Sequence, residues 1–168
     1  MKVLGICGSS RLNSVNRLIL NLIKQELNHL NWFEFDLATL PFFDPDNQYS
    51  NSTPKSVLEI RNLASCADRI IISTPEYAHG IPGVLKNGLE WIFHEGTMKK
   101  PVYVIIGSGQ GEHTRDQLIE VLSTMDFKIT LDQVLLIKGA RSKIDLNGKI
   151  INQDTEYIFK KFCQKIVT

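Results

Sequence analysis

The residues best equipped for chemistry lie between Gly8 and Asn16, where the chain reads Gly-Ser-Ser-Arg-Leu-Asn-Ser-Val-Asn. Small residues let the oxygens of an anion approach the backbone. Ser9, Ser10, Ser14 and Asn16 offer neutral donors, and Arg11 offers a fork of charged ones. An apolar run (Val3, Leu4, Ile6, Cys7) comes before this stretch. After it, Val15, Leu18, Ile19, Leu22, Ile23, Leu27 and Leu30 recur at helical spacing. A strand feeding a polar loop, and the loop feeding a helix, gathers free amides and the positive end of a helix dipole at one point. The chemistry this implies is the holding of a phosphate monoester. The alternative is an ordinary strand-to-helix turn with Asn13 or Ser14 as the helix cap.

Three other loops that follow a first strand fit less well. A Walker loop needs a Lys-Ser/Thr pair after its last glycine, which is absent. A dinucleotide fingerprint needs three spaced glycines and an acid about 20 residues on; here there are Gly5 and Gly8, and Glu34 and Asp36 lie too far along. A cysteine phosphatase loop would pair Cys7 with Arg11, but three residues between them are too few to wrap a phosphate.

Two later stretches share the design. Arg69-Ile70-Ile71-Ile72-Ser73-Thr74 reads as a strand covered on both faces and ends at Pro75-Glu76-Tyr77-Ala78-His79-Gly80, before a helix through Val84, Leu85, Leu89, Trp91 and Ile92. Pro101 to Ile106 ends at Gly107-Ser108-Gly109-Gln110-Gly111, before a helix through Leu118 and Leu122. Trp32 to Leu37 and Val134 to Ile137 complete five strands. The prolines and paired Phe42 and Phe43 of the connection after the second strand point to a loop anchored on the body. Pro54 suits a first helical position, Asn147-Gly148 marks a hairpin-like turn, and Asp154 or Thr155 can cap a last helix. Strand and helix alternating in this way predict a parallel sheet with helices on both faces, its ligand at the carboxyl ends of the strands. All three polar loops then meet at one site.

Composition narrows the rest. The 168 residues are 43% hydrophobic and 22% charged, which predicts one globular domain over 1–168. A net charge of +1 with no basic run leaves no footprint for nucleic acid. No apolar stretch approaches the ~20 residues that span a bilayer. Three cysteines without close pairing, and an N-terminus that enters a strand directly, predict a cytoplasmic protein. No His/Cys/carboxylate set has metal-ligand spacing, and no nucleophile-elbow pattern occurs.

With these residues in hand, the chain resembles the NADPH-dependent FMN reductase family, which includes quinone, azo-dye and chromate reductases. Gly8-Ser9-Ser10-Arg11 with Ser14 and Asn16 matches its phosphate loop. Pro75-Glu76-Tyr77, then Pro82-Gly83-Val84-Leu85-Lys86-Asn87 and Trp91, matches its second signature. The resemblance implies a flavodoxin-like three-layer α/β sandwich with a five-stranded parallel sheet in the order 2-1-3-4-5. It implies FMN as cofactor, NAD(P)H as co-substrate, a small-molecule electron acceptor, and a homodimer or homotetramer paired through the helix face at Trp91, Ile92 and Phe93. By the same likeness Ser9, Ser10, Arg11, Ser14 and Asn16 hold the phosphate. Pro75, Glu76, Tyr77, Ala78, His79 and Gly80 line the flavin ring, and Ser108, Gly109 and Gln110 lie against its other side. No side chain need be catalytic, since the flavin carries the chemistry.

The family usually has Asn where this chain has Ala78, and Asp where it has Glu90. His79 is open to two readings, a donor to the flavin edge or a quinone oxygen, or a plain exposed loop residue. Lys86 and Asn87 are expected to fix the loop or a subunit contact, and Cys7 to be a buried small hydrophobe. The competing function is a flavodoxin-like electron carrier without NAD(P)H activity, against which Arg11 and the near-neutral charge argue.

Overall fold

The structure is a computed structural model and describes residues 1–168. Five parallel strands form one sheet: β1 (Lys2–Cys7), β2 (Asn31–Phe35), β3 (Arg69–Thr74), β4 (Val102–Ser108) and β5 (Val134–Lys138). Their spatial order is β2-β1-β3-β4-β5, the order the resemblance implied. Four helices lie between them, α1 (Val15–Glu26), α2 (Lys55–Cys66), α3 (Gly83–Ile92) and α4 (Glu112–Thr124), and the short α5 (Ala140–Lys143) and α6 (Gln153–Val167) follow β5.

Side-chain alternation along the strands sorts the apolar residues into two cores. Leu4, Ile6, Ile70, Ile72, Val102 and Val104 face α2, α3 and α4. Val3, Ile71, Tyr103 and Ile105 face α1 and α6. The result is the three-layer flavodoxin-like sandwich. No helix is long and apolar enough to cross a membrane.

Several boundaries differ from the sequence reading. α1 stops at Glu26 with Leu27 as its C-cap, and Leu30 packs on the core from outside the helix. β2 ends at Phe35, because Leu37 enters a 3-10 turn capped by the Asp36 carboxylate. Pro54 is the residue before α2 rather than its first. β4 runs on through Gly107 and Ser108. Asn152 caps α6, two residues ahead of Asp154, because its side-chain oxygen accepts from both the Thr155 N–H (2.9 Å) and its hydroxyl (2.8 Å).

The connection after β2 is anchored by half of its aromatic pair. Phe43 stands edge-on against Trp91 at 4.9 Å. Its N–H donates to Asn87 Oδ1 at 2.7 Å, while Asn87 Nδ2 and Trp91 Nε1 each donate to the Pro41 carbonyl at 2.9 Å. Phe42 turns outward and is 93% exposed. Asn87 therefore fixes this loop, and Lys86 pairs with Glu90 along α3 at 2.6 Å. Trp91 and Ile92 are fully buried inside the subunit's own core. Of the helix face expected to pair two subunits, Trp91 and Ile92 are thus already covered by the 37–43 segment and α2, while Phe93 stays half-buried beside Tyr49 and Arg61.

Candidate functional site

A cavity of about 390 Å³ opens at the carboxyl ends of the strands. Arg11, Ser14 and Asn16 from the first loop, Pro75, Glu76 and Tyr77 from the second, and Ser108 and Gly109 from the third all line it. The three loops therefore converge, as the alternation of elements predicts. Ser9, Ser10, Ala78, His79, Gly80 and Gln110 lie outside the cavity wall.

The first loop turns sharply at Gly8, where a side chain would collide with Thr74 and Leu85. Ser14 caps α1 by accepting the Asn16 N–H at 3.2 Å. The N–H groups of Leu12 and Asn13 have no partner within the chain. Arg11 is held by its backbone, its N–H donating to Ser9 Oγ (3.3 Å) and its carbonyl accepting from Arg17 Nε (3.3 Å). Its exposed guanidinium makes no ion pair. These are the parts of an anion site.

Two expected phosphate donors serve the frame instead. Asn16 is fully buried: its Nδ2 donates to the Gly107 carbonyl at 2.9 Å, and its Oδ1 accepts from the Gly107 N–H (3.1 Å) and Ser73 Oγ (3.2 Å). The start of α1 is thereby bolted to β3 and β4. Gly107 must lack a side chain here, because a Cβ would run into Ile19 and Asn16. Ser9 is 2% exposed, and its hydroxyl sits 3.0 Å from the Tyr77 hydroxyl, bracing the first loop against the second.

The second loop holds a two-residue turn. Tyr77 and Gly80 exchange both backbone hydrogen bonds (3.1 and 3.0 Å), with Ala78 at φ 48° and His79 at φ 56°. Both are left-handed conformations that L-residues resist. The turn is held because α4 grips it from the side. Glu76, its side chain 7% exposed, accepts the Thr114 N–H in the first turn of α4 at 3.0 Å. Thr114 Oγ1 donates to the Gly80 carbonyl (2.8 Å), Gln117 Nε2 donates to the His79 carbonyl (3.3 Å), and the Ile81 N–H donates to Gln117 Oε1 (3.2 Å). Strain of this kind collects at binding sites and lasts where neighbours over-determine it. The Ala78 and His79 N–H groups are left without partners, as are those of Gly109 and Gln110 on the third loop.

His79 is largely exposed, with Nδ1 3.7 Å from Glu76 Oε1 and its ring edge-on to His113 at 4.8 Å. Cys7 faces away from the cavity, into a separate groove with Arg17 and Asp36. It is half-buried rather than buried, and burial pushes its thiol up, against use as a nucleophile.

One part of the wall escaped the sequence reading. Gly139, Ala140, Arg141 and Ser142, following β5, close the cavity beside the third loop. The signal was present: Gly-Ala-Arg-Ser after the fifth strand echoes Gly-Ser-Ser-Arg after the first.

Known proteins with this pattern are recognisable. The family model for NADPH-dependent FMN reductase matches residues 1–141. A 2-hydroxy-1,4-benzoquinone reductase of Burkholderia sp is 28% identical over 98% of this chain and 93% of its own length. Subunit 2 of an NADH-dependent flavin reductase of Lactobacillus johnsonii is 29% identical over 92% and 89%. Among solved structures, FerB, a flavoenzyme NAD(P)H:(acceptor) oxidoreductase from Paracoccus denitrificans, superposes with a TM-score of 0.85 at 20% identity, covering 99% of this chain and 94% of that one. The match over most of its length, on top of the loops and sheet order, settles the assignment: the chain belongs to the NADPH-dependent FMN reductase family.

Proposed function

We propose that the chain is an FMN-containing oxidoreductase that uses NAD(P)H to reduce small acceptors. The observation that carries this is the meeting of three polar loops, each with unpartnered backbone amides, at the sheet edge where one cavity opens, with a Ser14-capped helix start and Arg11 on the cavity wall. The residues fit the cofactor: one end of the cavity supplies donors for a phosphate, and the 75–80 and 108–110 loops supply neutral backbone groups for a flat heteroaromatic ring. The volume falls within the range of small-ligand pockets.

The chemistry FMN supplies when bound is two-electron transfer, a hydride accepted from NAD(P)H and electrons passed to a quinone, an azo compound, free flavin or a similar acceptor. The protein's share is binding and orientation. Arg11 and the amides before α1 hold the phosphate, and Tyr77, braced on Ser9, walls the cavity. The rigid 77–80 turn presents the Ala78 and His79 amides in a fixed direction, so these donors need no reordering when the ring arrives. The relatives named above support quinones and flavins as acceptor classes.

Titrating apoprotein with FMN, then adding NADPH or NADH without oxygen, tests the proposal. Quenching of flavin fluorescence followed by loss of the flavin's visible absorbance is the expected result. Protein that retains no FMN overturns it, and flavin that binds but is not bleached by either nucleotide favours an electron carrier. Pairing into a homodimer or homotetramer is also proposed. Its support is now the outward Phe42, with 70% exposed Tyr49 on the same connection, and light scattering of Phe42→Asp against wild type checks it.

A further inference from the structure

Arg141 has no part in the function proposed above, yet three links carry it to the start of α1. Asn16 clasps both backbone groups of Gly107, so the first turn of α1 lies over the end of β4. β4 pairs with β5, Ser108 opposite Lys138, and the Gly139 N–H donates to the Gly109 carbonyl at 3.2 Å. Ala140 is buried in the same apolar cluster as Ile19 of α1. Arg141 thus reaches the cavity wall from the β5 side, while Arg11 reaches it from the β1 side. Two strands separate β1 from β5, a span of roughly 14 Å at the usual strand spacing.

Neither guanidinium is compensated. The arginines in ion pairs are Arg17 and Arg115. The one carboxylate on the wall, Glu76, is turned to Thr114 and His79. Two uncompensated cations on the wall of one cavity make it a place that favours an anion. A phosphate monoester, carrying about −1.5 to −2 at neutral pH, answers both. Riboflavin, which lacks the phosphate, carries no such charge.

We infer that Arg141 is a second guanidinium contact for the terminal phosphate, and that the Arg11–Arg141 pair makes the site selective for a flavin monophosphate over riboflavin. This rests on the FMN function proposed above. The test is fluorescence titration of apoprotein with FMN and riboflavin, at low and high salt, in wild type, Arg141→Ala and Arg141→Lys. The expected result for Arg141→Ala is an FMN Kd raised about tenfold, the lower end of what one charge-assisted bond gives. Its riboflavin Kd stays put, Arg141→Lys keeps most of the affinity, and salt narrows the wild-type preference for FMN.

An FMN Kd unchanged in Arg141→Ala overturns the inference. So does an equal loss for FMN and riboflavin, which marks a structural role, or a shift confined to the KM for NAD(P)H, which gives Arg141 to the co-substrate. A wild type that binds no FMN refutes the underlying function instead, a result distinct from all of these.

Discussion

Replacing Asn16 by Ala separates the frame of the site from its ligand contacts. The fully buried side chain makes three hydrogen bonds, two to Gly107 and one from Ser73. Each is worth about 1 kcal/mol net, and a Gly107 N–H left buried without a partner costs about 1–3 kcal/mol more. The expected loss is about 4–6 kcal/mol. In a chain of this size 1 kcal/mol moves Tm by about 2–4 °C, so the fall is on the order of 10 °C. Thermal and urea denaturation followed by circular dichroism read it. Flavin titration well below the transition should give an FMN affinity within about threefold of wild type, since the loss falls on packing. Arg11→Ala should do the reverse, keeping Tm and weakening FMN by about 1.5–3 kcal/mol. An Asn16→Ala protein with unchanged Tm and badly weakened FMN binding would refute the reasoning and return Asn16 to the ligand.

Ala78→Gly removes a left-handed alanine costing about 1–2 kcal/mol and adds glycine's entropy penalty of about 0.5–1 kcal/mol, so Tm should rise by about 2 °C; a fall would mean the turn is unstrained. Burial holds His94 below its ordinary 6.5, against an opposing hydrogen bond to the Arg61 backbone and with the Lys100 charge adding to the effect, and its Nδ1 accepts the Gly96 N–H. The unfolded chain then takes up that proton first as pH falls. Stability is full above about pH 6.5 and declines below it until His94 is protonated in the fold. His94→Gln should flatten the decline of the urea midpoint between about pH 7 and about pH 5, and an identical slope would rule His94 out. Iodoacetamide with mass mapping should label exposed Cys66 first and half-buried Cys7 slowly; Cys163, buried and pushed up to about 12, should react only on unfolding, and its labelling in the native state would contradict the packing.

The order of elements and the meeting of three loops were legible because apolar runs and helical spacing are local signals. The bonds of Asn16 are not legible in the sequence for a physical reason: a polar residue at the start of a helix looks like a free donor until the fold shows which neighbour it faces. Here that neighbour is Gly107, 91 residues away. Phe42 and Phe43 are alike as letters, and only the position of Trp91 decides which one is buried. The apolar stripe at Trp91 and Ile92 looked like spare surface because its covering, the 37–43 segment, has no periodic pattern of its own. The β5 loop was passed over because it lacks a run of glycines, and its place beside α1 depends on strand order.

The grip of Thr114, Gln117 and Glu76 on the strained turn means that the seat for the ring is already set in the unladen protein. Little disorder is left there to be lost when the guest docks, so loading should follow a single encounter step, with no slow settling phase after it.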